Sequence, residues 1–165
     1  VYPTGGTPRE GDYLGTNNQV ITSVQAKTVQ RIVLVSSMGT TTPGSFLDLL
    51  GNGYALSYKL NAEVNLIQSC QEFSMSYTIV KPSGLLPATG HETNSSYLIG
   101  HSDRLACLEC MNISRSDVAN VLYKMVTNLS LFQNTRFDIS SNPSIDVSHR
   151  DWNKLSKQAA NIEYP

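Results

Sequence analysis

Three short runs rich in β-branched and aromatic residues, at 31–36, 77–80 and 136–139, constrain this chain more than any other feature. The first two are continuously apolar rather than alternating. That pattern suits strands buried on both faces of a parallel sheet. Helical spacing of apolar residues surrounds them. Leu14, Val20, Ile21, Val24 and Ala26 predict a helix over 12–27. Ala55, Ala62, Leu66 and Ile67 predict one over 54–70, and Val118, Ala119, Val121, Leu122 and Met125 one over 116–127. Asp117 lies in the first turn of that third helix, where a carboxylate suits the positive end of the dipole. A terminal helix is expected over 151–161, capped by Ser148. Residues 1–11 read as a leading loop, 39–53 as a turn-rich connection, and the stretch after Gly84 as a long Gly/Ser/Thr loop. The alternation predicts a single α/β domain over 1–165 with a parallel sheet. Three strands cover four helices poorly and leave their edges open, so the pattern predicts part of a larger sheet.

Composition narrows the function classes. Twelve Lys plus Arg against thirteen Asp plus Glu leave a formal charge of −1 over 165 residues. That balance excludes a basic footprint for nucleic acid. The longest apolar run, Ile32 to Val35, is far below the ~18 residues of a membrane span, so no membrane partner is expected. The opening Val1-Tyr-Pro-Thr-Gly-Gly6 has neither the basic start nor the apolar stretch of a signal peptide, and the first residue is not Met. A processed product or a fragment is expected. Three cysteines are too few and too odd a set for a disulfide scaffold, which predicts a reducing compartment, the cytoplasm first and an organelle second. The Asn-x-Ser sites at Asn94, Asn112 and Asn128 match chance in so Asn- and Ser-rich a chain. Cys107-x-x-Cys110 has only His101 as a neighbouring ligand, so no metal site is expected. His91 and His149 read as loop residues, and Trp152 as a packing anchor for the last helix.

The order of motifs is more specific. Ile32-Val-Leu-Val-Ser-Ser-Met-Gly39 is followed by Leu50-Gly-Asn-Gly53, then Tyr58-Lys59 with Ala62-Glu63. Tyr77-Thr-Ile-Val-Lys-Pro-Ser-Gly-Leu85, Ile113-Ser-Arg-Ser-Asp-Val-Ala119 and Phe137-Asp-Ile-Ser-Ser141 come next. From about residue 12 to residue 143 this succession resembles the atypical short-chain dehydrogenases/reductases of the NmrA-like, NAD(P)-binding group, in its sanguinarine-reductase-like branch. The resemblance implies the C-terminal part of a Rossmann-type, doubly wound parallel sheet. It also implies that the Gly-rich strand-turn-helix for the pyrophosphate is not in this chain. Gly5, Gly6 and Gly11 form the one glycine cluster near the start, no strand precedes it, and Pro8 interrupts it. The missing front half of the domain is then an expected partner, with a small-molecule substrate.

The same resemblance assigns chemistry to residues. Such reductases use a serine to bind the developing oxyanion, a tyrosine to donate a proton and a lysine to hold the nicotinamide ribose. Ser37 at a strand end matches the serine, and Lys59 the lysine. Ser36 is assigned to the cofactor side, with strand termination as the alternative. The tyrosine position, four residues before Lys59, is Ala55. Tyr54 is roughly 140° round the helix from Lys59, so proton donation falls to Tyr54 or water, or is absent. Pro82, Ser83, Gly84 and Leu85 match the turn that faces the nicotinamide, with Lys81 where the family usually has Arg. Asn18 matches a family asparagine near the site, and Arg115 and Asp117 are expected to tie a substrate-side loop to a helix start. The implied cofactor is NADP or NAD. The implied activity is hydride transfer to a small carbonyl, imine or quinone. A non-catalytic dinucleotide-sensing protein and an inactive truncated product are the alternatives.

Overall fold

The computed structural model describes residues 6–42, 48–49, 53–88, 93–105, 112–147 and 149–160. A four-stranded sheet runs β1 (Arg31–Val35), β2 (Ser76–Pro82), β6 (Thr135–Asp146), β4 (Ser95–Gly100). The first three strands are mutually parallel, and β4 is antiparallel to β6. A separate parallel pair joins β3 (Gly84–Leu86) to β5 (Asn112–Ser114). The helices are α1 (Thr16–Ala26), α2 (Ala55–Glu72), α3 (Arg115–Thr127) and α4 (Trp152–Ala160).

The continuous apolar strands feed two cores. Ile32, Leu34 and Ile79 turn to one face and pack with Val20 of α1 and Leu66 and Cys70 of α2. Val33 and Val80 turn to the other, with Val118, Val121 and Met125 of α3 and Leu155 and Ala159 of α4. Successive strand residues point to opposite faces, so a two-sided layer needs an unbroken apolar run. The result is a helix–sheet–helix sandwich. The parallel pairing stops at Val35, Pro82 and Ile139, at the carboxyl ends of β1 and β2, where such sheets place ligands.

The structure departs from the sequence expectations in five places. Residues 9–11, expected as loop, open a seven-residue π-type helix, Arg9–Gly15, that runs straight into α1. Thr7 and Glu10 form a reciprocal capping box: the Glu10 N–H donates to Thr7 Oγ1 at 3.2 Å, and the Thr7 N–H to Glu10 Oε2 at 3.0 Å. That Thr-Pro-x-Glu signal was legible in the sequence. Strand β4 lies in the stretch expected to be loop, and β6 runs on to Asp146 rather than stopping at 139. These two strands support each other, Tyr97 opposite Ser141 and Leu98 opposite Ser140, with a register shift between Ser95 and Ser96. Their polar residues carry no strand signal; the long-range pairing supplies it. Strands β3 and β5, which pair with each other, were likewise not anticipated. The expected cap Ser148 lies outside the described residues, and Asp151 Oδ1 accepts the Lys154 N–H at 3.0 Å at the start of α4.

Arg31 joins β1 to the end of α3. Its guanidinium donates to Met125 O at 2.9 Å, to Leu131 O at 3.0 Å and to Leu129 O, carbonyls in and just beyond the last turn of that helix. Replacing Arg31 by Met is expected to lower unfolding free energy by about 1–3 kcal/mol. Urea denaturation followed by circular dichroism measures it, and an unchanged midpoint would contradict this account of the α3 terminus.

Candidate functional site

The segment after β1 continues to pair with β2 beyond the sheet. The Ser36 N–H donates to Val80 O at 2.8 Å, and the Met38 N–H to Pro82 O at 3.0 Å. The Ser83 N–H in turn donates to Ile139 O at 2.9 Å. Ser37 and the 82–85 turn therefore sit side by side at the C-terminal end of the sheet. Gly39 turns the chain at φ +96°, and a Cβ there would lie 3.0 Å from Leu56 Cδ1, so glycine suits both the angle and the space. The Ser37 hydroxyl donates to its neighbour's carbonyl, Met38 O, at 2.8 Å. Ser36 takes the structural role at the strand end. It is buried and its hydroxyl donates to Glu63 Oε1, so that group holds the fold as well as bordering the site.

Helix α2 brings Lys59 beside this loop. Asp48, fully buried, caps the helix from outside: its Oδ1 accepts the Leu56 N–H at 2.7 Å, and its Oδ2 accepts the Ser57 hydroxyl at 2.5 Å. Lys59 Nζ lies 2.7 Å from Asp12 Oδ1 of the π-type helix, with 29% of the lysine side chain still exposed. Lys59, Asp12, Thr16 and Ser36 line one small cavity of about 80 Å³. Ser37 is not among its lining residues. Tyr13 packs on Tyr58 at 6.3 Å between ring centroids.

Tyr54 caps α2 through its carbonyl, which accepts the Tyr58 N–H at 3.0 Å. It precedes the helix in the left-handed region at φ 64°, and is 54% exposed. A bulky residue seldom adopts that conformation. The position expected to place it 140° round the helix from Lys59 is therefore not helical at all. Asn18 is exposed on the outer side of α1, and its neighbour Asn17 makes the contact to Asn65 at 3.4 Å instead.

Lys81 is fully buried on the middle of the sheet, and three groups converge on it. Its Nζ lies 2.6 Å from Asp103 Oδ1, 3.0 Å from Thr41 Oγ1 and 3.1 Å from Asp138 Oδ1. The last contact is within ion-pair reach without hydrogen-bond alignment. The Asp103 N–H donates to Asp138 Oδ2 at 2.7 Å, and the Thr41 N–H to Asp103 Oδ2 at 2.8 Å. One cation thus serves two carboxylates, and they divide. Burial opposes ionisation of Asp103, but the Lys81 hydrogen bond and charge and the Gly39 and Thr41 amides outweigh it and hold its carboxyl below the usual range. At Asp138 burial outweighs Lys81, and the carboxyl is pushed up.

Arg115 and Asp117 tie the outer elements down. Arg115 Nη1 donates to Leu86 O at 3.0 Å, holding the exposed Gly84 and Leu85 segment against α3. Asp117 accepts the Ser114 hydroxyl at 2.7 Å, the Thr93 N–H at 2.8 Å and the Tyr97 hydroxyl at 3.0 Å. Trp152 packs edge-on to Tyr97. Cys107, Cys110 and His91 lie outside the described residues. Sequence reasoning missed Asp12, Asp48, Glu63, Asp103 and Asp138. One of these, Glu63, left a trace by interrupting the buried stripe of Ala62 and Leu66, and Lys81, a charge extending an apolar strand, signalled the need for partners that Asp103 and Asp138 fill.

Known proteins share this family and fold. The family model described as NAD(P)H-binding matches residues 1–129. The chain belongs to that NAD(P)H-binding family, among the atypical short-chain dehydrogenases/reductases. It is 32% identical over 158 residues to sanguinarine reductase of Eschscholzia californica, a match covering 95% of this chain and 55% of the relative. It is 36% identical over 120 residues to an uncharacterised chloroplastic protein of Arabidopsis thaliana, over 73% of this chain and 35% of that protein. The chain thus spans about half, or less, of the length of these curated relatives. The fold resembles the crystal structure of an oxidoreductase from Lactococcus lactis, with TM-score 0.66 and 18% identity over 100% of this chain and 68% of that one. The Rossmann-like α/β architecture with a parallel sheet follows.

The raised Asp138 carboxyl has a definite sign in stability. The folded chain holds that proton more tightly than the unfolded one, so the contribution is present below the ordinary carboxylate pKa and is lost as pH rises through the raised value. Urea midpoints of the wild type and of Asp138→Asn, compared from about pH 4 to 7, should diverge. The wild type should weaken relative to the variant as pH rises, and parallel profiles would contradict the assignment.

Proposed function

We propose that this chain is the substrate-side portion of an NAD(P)-dependent reductase acting on a small carbonyl, imine or quinone. The observation that carries this reading is the continuation of β1 onto Pro82. It sets Ser37 and the 82–85 turn together, one helix away from Lys59. Lys59 fits a ribose: its ammonium is partly exposed and anchored by Asp12, leaving donors for hydroxyl oxygens. Gly84 and Leu85 are exposed at the strand end, where a flat ring finds room. NADPH or NADH, when bound, supplies the hydride. Ser37 gives up its bond to Met38 O and donates to the acceptor oxygen as negative charge develops there. Asp12 fixes the reach of Lys59. Tyr54 or water delivers the proton.

A specific observation favours a second reading. Ala55 occupies the tyrosine position, and Tyr54 is outside the helix and exposed. A non-catalytic dinucleotide sensor needs no proton donor there. The curated relatives are longer, so the reading includes a partner: the front of the domain, carrying the pyrophosphate-binding turn. The outer edge of β1 is its docking place. β1 ends the sheet order. Beside it lies a hollow of about 410 Å³ lined by Gln30, Val33, Val126 and Leu129. Val126 and Leu129 are exposed, as is Tyr123 on the same helix. A reducing compartment fits the reading, either cytoplasm or a plastid as named for the Arabidopsis relative. No described helix is long and apolar enough to cross a membrane.

Two measurements test this. In the longest reading frame containing the chain, NADPH oxidation with a quinone should proceed, and Ser37→Ala should slow it by about a hundredfold or more. NADPH binding without turnover of any carbonyl, imine or quinone acceptor would select the sensor instead. The 165-residue chain alone should bind NADPH weakly and self-associate through its open edge. Micromolar affinity by calorimetry, or a monomer at all concentrations in sedimentation, would contradict the divided-domain reading.

A further inference from the structure

We infer that Glu63 is a positioning residue for Ser37, clamping both ends of the turn that presents it. The inference rests on the reading of Ser37 as the acceptor-side hydroxyl. Glu63 is fully buried on α2, one helical turn beyond Lys59. Its Oε1 receives the Ser36 hydroxyl on one side of the turn and the Thr40 hydroxyl, at 3.0 Å, on the other. Its Oε2 lies 2.6 Å from Arg136 Nε on β6. Arg136 Nη2 also donates to Thr40 Oγ1 at 3.2 Å, closing a ring of three side chains to which Ser36 is joined through Glu63.

The arrangement does something that packing alone does not. A buried carboxylate is costly unless its oxygens are satisfied, and here three charge-assisted bonds satisfy it. Two of the three reach into a five-residue segment, on either side of Ser37, Met38 and Gly39. Ser37 itself is left with a bond to its own neighbour's carbonyl, the one tie in this turn that a ligand oxygen replaces without loosening the fold. Because Glu63 and Lys59 share a rigid helix, the clamp also sets the distance between the Ser37 turn and the lysine. A one-ångström error in such a distance is worth about a hundredfold in rate. The fold therefore spends a buried ion pair on geometry at the place where the hydride acceptor would sit.

Two arms test the inference, and they separate it from the reductase reading. The first needs no activity. Amide hydrogen exchange on the whole chain compares the Ser36 and Met38 N–H groups, bonded to Val80 O and Pro82 O, with core amides of Ile79 and Val80. Glu63→Gln keeps a carbonyl oxygen but turns an amide toward Arg136, and Thr40→Val removes one arm while leaving the ion pair. Each should speed exchange of the turn amides by about tenfold, the equivalent of one hydrogen bond to a charged group, with core exchange unchanged. Thr40→Ser should restore the protection. The second arm uses the longest reading frame. There the same variants should lower kcat by about tenfold or more while the NADPH Kd moves less than twofold. Equal acceleration at turn and core, failure of Thr40→Ser to rescue, or a loss carried entirely by Kd would overturn the inference. If wild-type protein turns nothing over, the reductase reading falls, and turn exchange still decides the clamp.

Discussion

A lysine ammonium buried in the central strand of a sheet has to be met by other elements, and Lys81 sets where they come from. It stands next to last in β2, one residue beyond the last pairing with β1. The loop after β1 brings Thr41, the turn after β4 brings Asp103, and β6 brings Asp138. Four separate stretches of chain are thereby held at one end of the sheet. Surface ion pairs contribute little to stability, but losing one partner of a buried set leaves an uncompensated charge and is strongly destabilising. The C-terminal ends of the strands are thus assembled around a point that tolerates little displacement.

Helix α2 transmits that order to the candidate site. Asp48 fixes its start, Lys59 reaches Asp12 on the adjoining helix, and Glu63 holds the turn after β1. All three are polar contacts along one helix whose buried face otherwise carries Ala62, Leu66 and Cys70. A carboxylate placed in such an apolar stripe raises the cost of any loop that fails to supply its donors. The same logic recurs at Asp117, where the start of α3, the Thr93 backbone and the Tyr97 hydroxyl meet. Polar groups in the interior act here as registration points between elements that apolar packing would allow to slide.

Much of the fold was legible. The unbroken runs at 31–35 and 77–80 announced strands with two buried faces, and Leu66, Val121 and Met125 fell where their spacing put them. Strands β4 and β5 and the far half of β6 were not legible, because serine, asparagine and glycine in a strand gain their conformation from a partner many residues away. At the site, Ser37, Lys59 and the 82–85 turn came from motif order. Asp12 and Glu63 reach those candidate residues only through contacts 47 and 27 residues distant in sequence.

The sequence by itself determined the main layers: the strands at 31–35 and 77–80 and the helices on either side of them, which of their faces are apolar, and the family to which their order belongs. Those properties are local or periodic, so neighbouring residues suffice to specify them. Only the tertiary structure decided which charges pair, that Ser36 is taken up by Glu63 while Ser37 keeps a replaceable bond, and that Tyr54 lies outside its helix. Each of those outcomes is a competition for a partner among groups far apart along the chain. The winner is set by distance and burial after the layers have packed.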